Sequence, residues 1–526
     1  MNRLPLPLIG VVVALLALTG VAALRPDAEA ARTPETAVPL PVERTALTCP
    51  RPTGAESSTT WYTAYTPPTG SVRSDEGTAA LLPAPEHVPD PGATDPEDGG
   101  DGDGGENDSE DQESGDEGGG AEEGAEAPEP VIELAEPGLP VTARVDDPDA
   151  PALAGNAERL LAPGWTVQQT TVVDSGEGQG TLGTSCQTPD TEFWFAGASA
   201  AEERHDYVHV TNPDEAATVV DIEIYGADGE LSAEHGQGIT VPGHSSVAVR
   251  LSTLLGDPEP GLAVHVAARS GRIGAQIEVV DEALGTDWLP PVTAPAADTA
   301  VLPGIPAGVG AARLSVFAPG NEDLSLDIGL AGPGGTITPA GNETVSAVAG
   351  TVTTVDLGDI TQGEASSLVL TREEGSGTGP VIASLHVVAG EDDGRESAFI
   401  PATAPVEDRA TVSGNTTSGT RLALLALDET VEVDVVYSAG ADGGEPVEET
   451  YTVDPGTTVA LTPELADTRG NFAITLSPSG GGTLYAARTL LLDQDGATTF
   501  TTQTLPDDRS TVSVPETEPD LSPLID

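Results

Sequence analysis

The stretch Ile273–Val279 reads IGAQIEV, with Ile273, Ala275, Ile277 and Val279 on one side and Gly274, Gln276 and Glu278 on the other. Such alternation is the period of a strand with one buried and one wet face. The stretch recurs as VIASLHV at Val381–Val387 and as LYAARTL at Leu484–Leu490. Upstream of each copy lies another alternating run: Ile222-Glu223-Ile224, Leu326-Asp327-Ile328 and Val431-Glu432-Val433. Between the two comes a turn, Val241-Pro242-Gly243, Val348-Ala349-Gly350 or Val453-Asp454-Pro455-Gly456, and then a further strand. The spacers after the last strands also agree, Trp288-Leu289-Pro290 ending in Ala294-Pro295 and Phe399-Ile400-Pro401 ending in Ala404-Pro405. Three units of about 105 residues therefore span Glu203–Pro506. The period matches an immunoglobulin-like sandwich. A propeller blade is nearer 40–50 residues and fits poorly.

Composition narrows the chemistry. Of 526 residues, 86 are Asp or Glu and 20 are basic, all of them Arg, for a formal charge of −66. A Walker phosphate loop, a pyridoxal Schiff base and a lysine general base all need a residue absent here. So acidic a surface repels nucleic acid and anionic headgroups, and no nucleic-acid partner is expected. Aromatic residues make up only 3%.

Leu4–Leu24 runs 21 residues without a charge, about 31 Å as a helix and enough to cross a bilayer. It reads as a transmembrane anchor, or as a signal peptide cleaved near Ala28-Glu29-Ala30. Either way the bulk is expected outside the cytoplasmic membrane: single-pass in the first case, secreted in the second. Two cysteines, Cys49 and Cys186, allow one bridge, which an oxidising compartment favours over two buried thiols. Between them Glu86–Glu136 holds 20 acidic residues and no Arg, the composition of an expanded disordered segment. The expected organisation is a mostly β chain: stub and anchor helix 1–26, tether 27–48, and an N-terminal β unit 49–202 broken by a disordered acidic insert 83–140. Tandem immunoglobulin-like repeats 203–302, 303–410 and 411–506 follow, with a disordered tail 507–526.

Thr48-Cys49-Pro50, then Leu182-Gly183-Thr184-Ser185-Cys186 leading through Pro189 to Trp194-Phe195-Ala196-Gly197, and the strand Val208-His209-Val210-Thr211-Asn212-Pro213 before Ala216-Ala217-Thr218-Val219, carry a likeness. With these motifs the chain resembles an uncharacterised family of actinobacterial membrane-anchored, exported proteins, a domain of unknown function. It is also similar to secreted adhesion-type β-sandwich repeats. The resemblance covers most of Cys49–Pro506 except the acidic insert. It implies an envelope location, often beside a cell-wall-type glycosyltransferase, and brings no catalytic residue with it.

Candidate chemical motifs fail on context. Gly178–Gly183 matches a dinucleotide fingerprint as a string, yet Thr184–Pro189 after it is no helix. His205 and His209 at i, i+4 would chelate on a helix, but on a strand they stand about 13 Å apart. Gly243-His244-Ser245 lacks the closing glycine of a nucleophile elbow, and Asp98–Asp108 lacks the glycine and terminal glutamate of a calcium loop. No catalytic residue, metal site or cofactor is expected. The expected function is a non-catalytic, membrane-anchored envelope protein presenting β modules to envelope proteins or cell-wall glycans. The alternative is a glycan-binding accessory subunit of a glycosyltransferase pathway. Trp61, Tyr62, Tyr65, Trp194 and Trp288 are the candidate glycan contacts, with core packing the competing role for Trp194-Phe195.

Overall fold

The alternating runs become strands with alternating faces. Thr218–Gly226 switches between buried and half-buried along its whole length, and Val431–Tyr437 repeats the pattern. A computed structural model describes residues 38–68, 77–88, 128–176, 178–293, 295, 298–390, 395–494 and 497–514. The chain divides into Val42–Ser510 and a second unit of Met1–Pro41 with Thr511–Asp526. In the second unit Val38–Pro41 pairs antiparallel with Thr511–Val514.

Between Arg44 and Thr504 four modules share one plan. Module 1 comprises Arg44–Cys49, Ser58–Tyr65, Ala79–Ala84, Ile132–Leu134, Val141–Val145, Ala152–Glu158, Thr166–Val173 and Gly180–Ser185. Its first, sixth, third and fourth strands form one sheet in that order, and its fifth, second, seventh and eighth form the other. Module 2 runs from the strand Glu192–Ala198 to Gly285–Leu289, module 3 from Thr299–Ile305 to Glu396–Pro401, and module 4 from Ala410–Asn415 to Ala497–Thr504. All three repeat the same two sheet orders, with one extra short strand in modules 2 and 3. In each, the inward side chains of both sheets meet in a core; in module 2, Val208, Val210, Ile222, Ile224 and Ile277 are nearly solvent-free.

This order corrects the immunoglobulin-like expectation. In an immunoglobulin module the first two strands share a sheet; here they lie in opposite sheets. The string of modules is corrected as well. Gly180–Ser185 packs on Gly285–Leu289, that strand on Glu396–Pro401, that on Ala497–Thr504, and the last again on Gly180–Ser185. Four eighth strands touching in a closed circuit place them around one axis, with eight sheets arranged about it, six of four strands and two of five. The closure is that of a propeller, though the sheets are not meanders.

A repeated contact builds the seams. The first strands of modules 2, 3 and 4 bulge at Gly197, Gly304 and Gly414, with φ of +96°, +79° and +69°. Each glycine lies on a facing pair of the next module: Gly197 on Ser315 and Ser384, Gly304 on Ala423 and Ala487, Gly414 on Gln168 and Thr63 of module 1. The pairs are direct register partners of second and seventh strands. Between modules 1 and 2 the arrangement is reversed, with Gly274 of the seventh strand against Thr48.

The expected N-terminal transmembrane helix is also corrected. The described chain is β throughout, apart from 3-10 turns at Arg159–Leu161 and Leu251–Thr253, and among the described residues no helix is long and apolar enough to cross a membrane. Residues 1–26 lie outside the described residues, as do 89–127 of the acidic insert. The insert's flanks are ordered: Ala79–Leu81 pairs directly with Ile132–Leu134, so the insert occupies one hairpin of module 1. Two expected margins are strands instead, Arg44–Cys49 in the tether and Thr511–Val514 in the tail.

Candidate functional site

The outer faces of the second and seventh strands supply the seam chemistry, and the four modules differ there. Two residues along from the glycine contacts of modules 1, 3 and 4 stand Trp61 opposite Thr170, Arg313 opposite His386, and Arg421 opposite Thr489; the matching pair of module 2 is Tyr207 opposite Glu278. In module 2 His209 meets Glu278 at 2.9 Å and packs edge-on to Trp288. In module 3 His386 stacks on Phe399 at 4.5 Å, and burial, with Arg204 and Arg313 nearby, pushes its pKa down to about 3.

Where module 4 meets module 1, Thr63 and Thr170 hold the equivalent positions and leave a cavity of about 420 Å³. Trp61 lines it as a half-buried indole, with the Arg144 guanidinium over its ring at 5.8 Å. The rest of the wall is aliphatic at Val172, Leu490 and Leu492, and amide, hydroxyl or carboxyl at Gln179, Asn471, Gln494, Thr416, Asp174 and Asp493. No arginine or histidine lines it. Both carboxyls stand exposed, whereas a glycosidase acid is shielded from solvent.

The axis beside this cavity is polar. The eighth strands turn free backbone edges toward one another, and side chains of neighbouring modules satisfy them. Gly183 N donates to Asp287 Oδ1 (3.2 Å), and the Thr501 hydroxyl donates to the same carboxyl (3.2 Å). Gln494 Nε2 donates to Gly180 O at 3.4 Å. The Thr181 amide donates to Glu396, whose Oε2 has no partner among the described residues. Burial raises both carboxyls, Asp287 well above its usual range and Glu396 to about 7. A second cavity, about 630 Å³, receives the segments that follow all four eighth strands.

The predicted aromatic contacts divide. Tyr62, Tyr65 and Trp288 are each about 1% exposed and serve as packing, not as platforms; burial pushes Tyr65 up to about 12. Trp61 and Trp194 keep partial exposure, and each lines one of the two cavities. Trp194 stacks on His265 at 4.0 Å and packs near Phe317 of module 3 at 5.6 Å. Cys49 and Cys186 form the expected disulfide, joining the two sheets of module 1. Among the described residues no group of three or more His, Cys, Asp or Glu is placed to hold a metal ion. Gly178–Gly183 runs into the axial strand, and His244 occupies a turn at φ +52°. The carboxyls Asp287 and Glu396 went unnoticed in the sequence because an acidic residue on a strand reads as its wet face.

Fold and site together define a closed ring of four two-sheet β modules with a cavity beside a tryptophan where the last module meets the first. Residues 141–464 match the family of unknown function DUF5719, and the chain belongs to that family. No curated protein matches it.

Proposed function

We propose that this is a non-catalytic extracytoplasmic protein that binds a neutral glycan in the Trp61 cavity. The observation that carries this reading is the cavity where module 4 meets module 1, in which a half-buried indole and three aliphatic side chains face amides, hydroxyls and two exposed carboxyls. An apolar ring face with convergent hydrogen-bonding groups suits a sugar, which has one apolar face and a rim of hydroxyls. The lack of a basic group in the wall disfavours phosphorylated or carboxylated ligands. The disulfide supports an oxidising compartment. Calorimetric titration with neutral cell-wall oligosaccharides should give saturable binding that Trp61→Ala weakens by roughly 1–3 kcal/mol. Equal binding by the variant sinks the reading, and release of reducing ends during the titration would make the protein a hydrolase instead.

A further inference from the structure

The 630 Å³ cavity at the other end of the axis has different chemistry. The matched proline-rich spacers converge on it: Gln187 and Thr188 after the eighth strand of module 1, Pro290 and Pro291 of module 2, Pro405 of module 3, and Pro506 of module 4. Proline offers no backbone donor, so the part of the wall made by Pro290, Pro291, Pro405 and Pro506 is apolar and without N–H groups of its own. Two buried donors line it without a partner among the described residues, Trp165 Nε1 and Gln503 Nε2, on residues 4% and 3% exposed. They come from modules 1 and 4, so an occupant satisfying both must supply acceptor oxygens at separate points.

The charge of the lining is one-sided. Five carboxyl residues line it against one cation, Arg509. Three of the five are tied to side chains or backbone elsewhere in the chain. Asp507 accepts the backbone N–H groups of Glu407, Asp408 and Arg409 through Oδ2 and that of Arg509 through Oδ1. Asp508 pairs with Arg409 at 2.7 Å, and Glu192 meets His265 at 3.2 Å. Asp190 and Glu407 are exposed; Asp190 Oδ1 accepts the Thr191 N–H at 2.7 Å, and among the described residues neither carboxyl is in an ion pair.

We infer that this axial cavity docks an extended, lysine- or arginine-bearing peptide segment of a partner protein. Backbone carbonyls of the peptide accept from Trp165 and Gln503, its apolar stems lie along the prolines and Trp194, and its cations meet Asp190 and Glu407. The acidic molecule steers such a segment toward it. The site is separate from the Trp61 cavity and does not depend on the glycan reading.

The test titrates the full chain with an N-acetylated, C-amidated hexapeptide carrying two lysines, and with its norleucine counterpart. The lysine peptide should bind roughly ten-fold tighter than the norleucine peptide at low salt, and binding should weaken as salt rises. Asp190→Asn with Glu407→Gln should weaken it about ten-fold; both side chains are exposed, so the double variant keeps its fold. Trp165→Phe, which keeps an aromatic ring but removes the donor, should also weaken it, while Trp61→Ala leaves it unchanged. Binding unaltered in the double variant would place the peptide on the acidic insert and overturn the proposal. So would absence of binding, equal affinity for norleucine, or loss of binding in Trp61→Ala.

Discussion

Glu396 shows how one side chain feels the whole ring. It belongs to module 3, accepts from Thr181 of module 1, and packs within reach of Gly285 of module 2. Its pKa rises from 4.5 to about 7 because burial disfavours the charged form. The folded state therefore prefers the protonated carboxyl. The resulting stability is fully present below about pH 4.5 and is lost as pH rises through about 7. Asp287 is raised by the same cause, while exposed Glu322, Glu343 and Asp428 are lowered by backbone donors and act in the opposite sense. The difference between Glu396→Gln and the parent isolates the one group. At pH 8 the variant should be more stable by about 2 kcal/mol, and below pH 4.5 the two should coincide in thermal melts. A gap that does not change with pH would refute the assignment. Arg488 marks where single residues mislead. It stands at the inward position that Ile277 and Leu385 hold in modules 2 and 3, is fully buried, and donates to Ser413 O, Asn415 and Gln503. Nothing in LYAARTL distinguishes such an arginine from one in water; burial without a carboxylate lowers its pKa to about 9.

At the scale of strands, the bulged glycine is the unit of assembly. At Gly304 a Cβ would meet the Ala487 Cβ at 2.5 Å, and the backbone has φ +79°. Gly304→Val combines a left-handed backbone conformation with a collision against the next module. It should cost at least about 3 kcal/mol in chemical denaturation. A loss under about 1 kcal/mol would mean that the seam yields. The strands themselves were legible: Ile222-Glu223-Ile224 and its two counterparts announce their faces by alternation, which two-sheet packing requires. The starting points of the modules were not. The strand Glu192–Ala198, with Trp194 and Phe195, opens module 2, yet its sequence follows Cys186 so closely that it reads as the end of the preceding unit. Module 1 was hidden as a repeat because an acidic insert separates two strands that pair directly, and because Tyr62 and Gln169 stand where modules 2 and 3 hold aliphatic residues.

At the scale of the molecule, closure depends on contacts between residues far apart in sequence. Thr181 meets Thr499 at 2.6 Å across 318 positions, and the Ser413 hydroxyl donates to Thr63 O across 350. No local pattern encodes such pairs, so a period of about 105 residues announced the modules but not that a fourth matched them or that the last would meet the first. The Trp61 cavity was half legible for the same reason. Trp61 stood out as an aromatic residue on a strand, whereas Asn471 and Asp493 join it only because the circle shuts. The head-to-tail seam carries one more consequence. Modules 2, 3 and 4 each offer a plug to the module that follows, modules 3, 4 and 1 hold the matching sockets, and in the intact chain every plug finds a socket. A chain stopped before Ala410 keeps the plug at Gly304 and the socket at Thr63 and Gln168, both idle and shaped for equivalents of each other. Its copies should link into growing fibres instead of staying single. Sedimentation should show mass increasing with concentration, and a truncated chain that stays monomeric would mean that the mating faces are not interchangeable.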